Sequence, residues 1–387
     1  FTRQLVVERI DDQSTPTLAW RVVVQLPARK LAPGATYLIG ADGTETGDVI
    51  VGVSNAEPLT AVAVSKDWLG RTRSFTVDAR KRSWYTIYRL VDSGRGITTY
   101  KTAYPLFGLG GAVLPGTVVK RGVFGWNTGG VSAHANTEVV YDYYRDVLGR
   151  TSFDDNSGAI KVSIQYNPNK SAGGGYANAF WDPTREQFAF GDSGHLEAAV
   201  DIVGHEYTHA VISYAVGGVN GGSVLDYGES GALNEAMADI MGVLIEGKSG
   251  PDRWLLGEDS QLGAVRNLAD PTSISTSLGP YRDSYATRYK GLGDDAGEHI
   301  NSTIFSHAAY EMMTDPATAG VSDDTWAAVF YHALYRMSPG SVFTDGRAAV
   351  LSSARALGLS AAELAAIRNA FDSVGIVGTA TSSSVAA

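Results

Sequence analysis

The stretch "VDIVGHEYTH", residues 200–209, decides how the rest of the chain is read. His205 and His209 stand four residues apart, with Glu206 directly after the first. Positions i and i+4 of a helix share a face one turn apart, so both imidazoles can reach one zinc ion about 2 Å away. The surroundings predict that helix: Val200, Val203, Tyr207, Val211 and Tyr214 recur at three- and four-residue intervals. The two histidines lie off this apolar stripe and share a face with Asp201. A lone histidine here reads as a packed or surface residue. The full H-E-x-x-H pattern reads as a metal site with a carboxylate base beside it.

Two protein ligands leave zinc incomplete, because a catalytic site takes three and keeps one position open. Glu229 and Glu235 compete for the third place. Glu229 lies in the glycine-rich, turn-like "DYGESG" (226–231). Glu235 lies in "GALNEAMADIMGVLIE" (231–246), where Leu233, Met237, Ile240 and Leu244 form a helical apolar stripe. A helix holds a ligand more rigidly than a loop, so Glu235 is the expected third ligand. Asp239 then falls one turn further on, placed to accept the other imidazole N–H of His205 and fix its tautomer. Without the histidine pair, Glu235 and Asp239 would read as a solvated helix face.

Working outward, the chain has 387 residues, 44% of them apolar and 19% charged, a globular composition with room for two cores. No apolar run reaches the roughly 18 residues that span a bilayer, and no membrane partner is expected. The net charge of −10 argues against a nucleic-acid partner. There is no cysteine, which excludes disulfides and thiolate metal sites. An extracellular chain of this kind needs another reinforcement, for which bound calcium is suited. The chain opens on Phe1 with no signal-peptide pattern, as expected of a processed protein.

Residues 1–50 read as extended hairpins, with "TLAWRVVVQL" (17–26) alternating and "ADGT" (41–44) as a turn. Residues 51–62 have weak periodicity and read as a connector. Short strands follow at 73–79, 83–91 and 159–167, interrupted by a helical stretch at 135–148. After residue 196 the period changes. Helices are predicted at about 231–246, 302–314, 323–337, 344–357 and 360–373, the last opening on a Ser360–Glu363 capping box. The fold class is therefore α+β, a β-rich half followed by a helical half, with the histidine pair at the junction.

Residues 65–376 resemble the thermolysin-type (bacillolysin-like) neutral zinc metallopeptidases. The likeness rests on five motifs in order: "YDYYRDVLGRTSFDD" (141–155), "YANAFWD" (176–182), "VGHEYTHAVISY" (203–214), "GALNEAMADI" (231–240) and "DDAGEHINS" (294–302). The resemblance implies a two-lobed fold: a β-rich lobe over 56–200, a helical lobe over 201–376 and a flexible tail at 377–387. It implies a secreted, monomeric zinc endopeptidase that cuts peptide or protein substrates before hydrophobic residues. Glu206 would be the general base, His299 the stabiliser of the oxyanion and Asp294 the carboxylate that orients it. Arg266 would bind the substrate carbonyl on the leaving-group side. Asn178, Ala179 and Trp181 would line the edge where the peptide lies as an added strand. Leu196, Ile202 and Val265 would form the pocket for the residue after the cut.

Two departures from the family pattern stand out. The segment between His209 and Glu235 is longer than usual, with the extra residues in "VGGVNGGSVLD" (216–226), and Tyr227 is the nearest match to a second oxyanion donor, one position out of register. Asp201, Glu246, Asp252 and Glu258 match the family's calcium carboxylates, so one or more structural calcium ions are expected, and Leu255 near a usually acidic position favours one over a pair. Residues 1–55 look like the end of a propeptide, cut between 50 and 62 when the zymogen matures, or else an N-terminal β extension. Two other readings compete with the endopeptidase. One is a catalytically silent peptide- or surface-binding relative with a structural zinc. The other is a zinc aminopeptidase, which needs an acidic anchor for a free amine; the sequence offers no motif for one.

Overall fold

The computed structural model describes the backbone of residues 2–8, 17–24, 35–40, 49–54 and 59, and residues 60–81, 85–105, 111–218, 220–222 and 224–378 in full. Four strands open the chain: β1 (Thr2–Glu8), β2 (Thr17–Val24), β3 (Ala35–Gly40) and β4 (Val49–Ser54). They form an antiparallel meander in chain order, and β2 carries the alternating stretch. The predicted turn at 41–44 and tail residues 379–387 lie outside the described residues.

Of the expected connector at 51–62, residues 51–54 end β4 and residues 59–62 begin β5 (Leu59–Lys66), while 55–58 lie outside the described residues. β5 pairs with β6 (Thr72–Lys81), which pairs with β7 (Thr86–Arg89). The periodicity misled here for a physical reason. Val62 and Val64 of β5 are exposed, while the small Ala61 and Ala63 face the core, so the larger apolar residues mark the wrong face.

A six-stranded sheet follows, built from β8 (Val91–Asp92), β9 (Ile97–Ala103), β10 (Val113–Val118), β11 (Ile160–Tyr166), β12 (Ala179–Asp182) and β13 (Gln187–Gly191). Its order is β10-β9-β11-β13-β12, with β8 on β9. β11 runs parallel to both its neighbours, and β12 is an antiparallel edge strand on β13. Between β10 and β11 runs α1 (Thr128–Asp146), which starts earlier than its apolar pattern suggests. Its first turn is Thr-Gly-Gly-Val, which has no stripe; Asn127 Oδ1 caps it by accepting from the Gly130 N–H at 2.8 Å.

The second half is helical: α2 (Val200–Ala215), α3 (Gly228–Glu246), α4 (Gly293–Thr314), α5 (Asp323–Leu334), α6 (Phe343–Ala356) and α7 (Ala361–Ser373). The Ser360–Glu363 capping box is present at α7. α2 sits at the junction and is buried on both sides. Tyr207 stacks on Phe188 of β13 at 5.7 Å, while the opposite face lies on α3. The two helices meet at Gly204 and Gly242. A Cβ on Gly242 would lie 2.6 Å from the Asp201 carbonyl oxygen, so only glycine permits this approach. The fold thus has a β-rich N-terminal half and a helical C-terminal half, as the α+β reading expects.

Candidate active site

α2 and α3 run antiparallel, and their pairing reads like a ladder. Gly242 sits on the Asp201 backbone, His205 Nδ1 is 2.8 Å from Asp239 Oδ1, and His209 Nδ1 is 2.9 Å from Asn234 Oδ1. His209 Nδ1 hydrogen-bonds Asn234 and His205 Nδ1 faces the Asp239 carboxylate, so neutral rings protonated at Nδ1 leave both Nε2 lone pairs free. Those two Nε2 atoms face each other at 2.9 Å. Glu235 closes the triangle, with Oε1 3.1 Å from His209 Nε2 and Oε2 3.4 Å from His205 Nε2.

Two lone pairs and a carboxylate converging in a buried site repel one another unless a cation lies between them. Ligands about 2.0–2.2 Å from a tetrahedral zinc stand roughly 3.3–3.6 Å apart, and the separations here, 2.9, 3.1 and 3.4 Å, reach that spacing with a small outward shift of the side chains. The residues fit zinc. The electrostatics make the same demand for positive charge: burial alone would lower the pKa of His205, yet Glu235 and Asp239 carry it up to about 10. Glu229, the competing ligand, is used elsewhere. It accepts from Tyr285 Oη at 2.8 Å and from the Phe343 N–H at 3.1 Å.

Glu206 lines the cleft beside this triangle and has no hydrogen-bond partner among the described residues. Burial pushes its carboxyl above the usual range, with His205 and His209 opposing. Across the cleft, His299 Nδ1 is 2.7 Å from Asp294 Oδ1. Asp294 also accepts the backbone N–H groups of His299 and Ile300, at 2.9 and 2.8 Å. Residues 294–297 all have positive φ, so the chain coils left-handed before the right-handed part of α4 begins, and Asp294 caps that start. Glu235 first, and then Asp294, raises His299 to about 9 against the effect of burial. Burial alone would raise Asp294, but its bonds from His299 and Ile300 hold it below the ordinary value.

The cleft has a volume of about 420 Å³ and is lined by Asn178, Ala179 and Trp181 on one wall. Leu196, Ile202 and Val265 lie along it, joined by Leu262. Arg266 is buried in its floor, with Nε and Nη2 each 2.7 Å from Asp239, which therefore ties Arg266 to His205. Tyr227 is not among the lining residues; it sits at the N-cap of α3 with its ring 58% exposed. The one-position offset in register is enough to turn it out to solvent. Asn234 and Glu298 are among the lining residues that escaped the sequence reading. Asn234 directly precedes Glu235, and its role was hidden because asparagine carries no charge pattern.

Asp201, Glu246 and Glu258 also converge, their carboxylate oxygens lying within 4.8 Å of one another. Burial, then Glu246 and Glu258, raises Asp201 well above the usual carboxylate range, and burial with Glu258 takes Glu246 to about 7. Asp252 does not join them. It is exposed in the 3-10 turn Gly250–Trp254. Lys248 reaches in instead, pairing with Glu258 and lying 3.2 Å from Glu246 Oε1 and 3.4 Å from Asp259 Oδ2.

Residues 63–213 match the family described as "Thermolysin metallopeptidase, catalytic domain", and residues 223–376 match "Thermolysin metallopeptidase, alpha-helical domain". The chain is 33% identical to a bacillolysin of Bacillus caldolyticus, over 94% of this chain and 68% of that protein. It is equally similar, over the same shares, to a thermolysin of Alicyclobacillus acidocaldarius subsp. acidocaldarius. Among solved structures, the precursor of protealysin, a metalloproteinase from Serratia proteamaculans, shares the fold. It has a TM-score of 0.57 and 21% identity, covering 73% of this chain and 87% of that one.

Proposed function

The chain belongs to the thermolysin metallopeptidase family and is a zinc metalloendopeptidase, and on that premise we propose that it hydrolyses peptide bonds on the N-terminal side of hydrophobic residues. The observation that carries this reading is the convergence of His205 Nε2, His209 Nε2 and Glu235 beside an open cleft that Glu206 also lines. His205, His209 and Glu235 would hold the zinc. When bound, it supplies Lewis acidity, polarising the scissile carbonyl and acidifying a water.

Each remaining step belongs to the chain's own residues. β12 is an edge strand, and an extended peptide can add to it beside Asn178 and Ala179. Trp181 supports that wall, its Nε1 anchored 3.3 Å from Ser213 Oγ. The side chain after the cut enters the apolar pocket of Leu196, Ile202, Leu262 and Val265. Arg266 gives Nε and Nη2 to Asp239, which leaves Nη1 to donate to the carbonyl on the leaving-group side. Glu206 takes the water's proton, and its burial makes it a stronger base than an exposed carboxylate. It then passes the proton to the departing amine. His299, held by Asp294, donates Nε2–H to the developing oxyanion.

The same reading extends to the rest of the molecule. One calcium would bind Asp201, Glu246 and Glu258 after Lys248 swings aside. The meander β1–β4 precedes the family match and would be the end of a propeptide, and the likeness in fold to a precursor supports this. Secretion is consistent with a cysteine-free chain that carries a calcium-type carboxylate cluster.

The test is cleavage of a blocked peptide with leucine or phenylalanine after the scissile bond, run untreated, after zinc-selective chelation and after zinc is restored. The expected result is activity that disappears and returns with the metal. A folded, zinc-loaded, N-terminally trimmed protein without activity would instead make this a silent binding relative.

A further inference from the structure

We propose that Glu298 is a specificity-determining residue that receives a cationic group of the substrate on the N-terminal side of the scissile bond. The proposal rests on the endopeptidase reading above for the direction in which the peptide lies.

The antiparallel pairing of α2 and α3 fixes which end of the cleft Glu298 occupies. Ile202 lies near the start of α2, with the apolar pocket around it, and is level with Gly242 of α3. His209 lies further along, level with Asn234. Gly231 is nearly one turn beyond Asn234, and Glu298 lies flat on it: a Cβ at Gly231 would stand 2.7 Å from Glu298 Cδ. Glu298 is therefore at the end of the cleft opposite the apolar pocket. In the proposed binding direction, that end holds the residues before the cut.

The second observation is that Glu298 has no hydrogen-bonding or ion-pair partner among the described residues, although it is half-buried and lines the cleft. Its charged surroundings are mixed: Glu235 and Asp295 repel it, while His299 and His209 attract it. Asp226 lines the same cleft and is likewise unpaired. Glu298 opens the right-handed part of α4, and a helix N-terminus favours an acid. That favour accounts for the charge but not for its direction into an open cleft without a partner. A half-buried, unpaired carboxylate is offset best by a cation that arrives with the ligand. The chemistry fits the ammonium or guanidinium of a lysine or arginine side chain, or the free α-amine of a short peptide.

The experiment measures kcat/KM for peptides with leucine after the cut and alanine, lysine, arginine or glutamate at each of the two positions before it. Each peptide is made with a blocked and with a free N-terminus. We expect lysine or arginine to exceed alanine about tenfold and glutamate to fall below it, with the preference shrinking as salt rises. In Glu298→Gln the lysine-to-alanine ratio should drop toward one, and in Glu298→Lys it should invert in favour of glutamate. A gain confined to unblocked peptides, and lost in Glu298→Gln, would assign the cation to the α-amine. Zinc-dependent cleavage with no cationic preference, or with a preference that Glu298→Gln retains, would overturn this proposal alone. No cleavage of any peptide would overturn the endopeptidase reading and this proposal with it.

Discussion

Asn234 accepts the imidazole N–H of His209, and the Asp239 carboxylate lies 2.8 Å from His205 Nδ1, so the two aim both Nε2 lone pairs at one point. A ligand whose ring can rotate binds metal less well, and removing such an orienting partner typically costs 10–100-fold in affinity. Asn234→Ala should therefore weaken zinc binding by about that factor, measured by competition with a chelator of known affinity, while the fold is kept. Unchanged affinity would mean that His209 is positioned by packing alone. Asp239→Asn should cost more than affinity, because Asp239 also holds Arg266 through two 2.7 Å bonds; kcat/KM should fall further than zinc occupancy does. At this scale Asp239 was legible, since helical spacing puts it one turn from Glu235. Asn234 was not, because only the crossing of two helices reveals which ring it meets.

The helices meet as closely as they do because of Gly242. A methyl group there would press on the Asp201 carbonyl, so Gly242→Ala should destabilise the protein by about 1–3 kcal/mol and loosen zinc binding together. Loss of stability with full zinc affinity would show that the metal triangle does not depend on this crossing. A second test concerns α1 and β6. Glu138 of α1 accepts the Thr76 N–H at 2.8 Å, and burial raises its pKa from 4.5 to about 7. A carboxyl raised on folding contributes stability that is fully present below pH 4.5 and is lost as pH rises toward 7. Glu138→Gln should therefore gain on its parent by up to roughly 3 kcal/mol over that window, measured by denaturant titration in an inactive background. His134 beside it is held neutral by burial and slopes the other way, but it is common to both proteins. A constant difference across pH would mean that Glu138 is already ionised in the folded state. Helices such as α7, with its Ser360 cap, were legible from local pattern. β5 was not, because exposed valines and buried alanines invert the usual signal.

For the whole molecule, the question is what holds the two halves of the cleft without disulfides. The carboxylates of Asp201 on α2, Glu246 at the end of α3 and Glu258 beyond it meet where these elements join, with Lys248 among them. Lys248→Met should lose about 1–3 kcal/mol relative to its parent when calcium is stripped, and the two should converge in saturating calcium, read as thermal midpoints. Equal midpoints in both conditions would show that neither cation matters there. The cluster was only partly legible, since sequence order cannot tell that Asp252 turns outward while Lys248 turns in. In the proposed mechanism His205, His209 and Glu235 hold a zinc beside which Glu206 acts as base. The most direct measurement is zinc content and kcat of Glu206→Gln beside the parent. One zinc per chain is expected in both, with a fall in kcat of about 10²–10⁴-fold in the variant. A variant that keeps its zinc and cleaves at the parent's rate would contradict it.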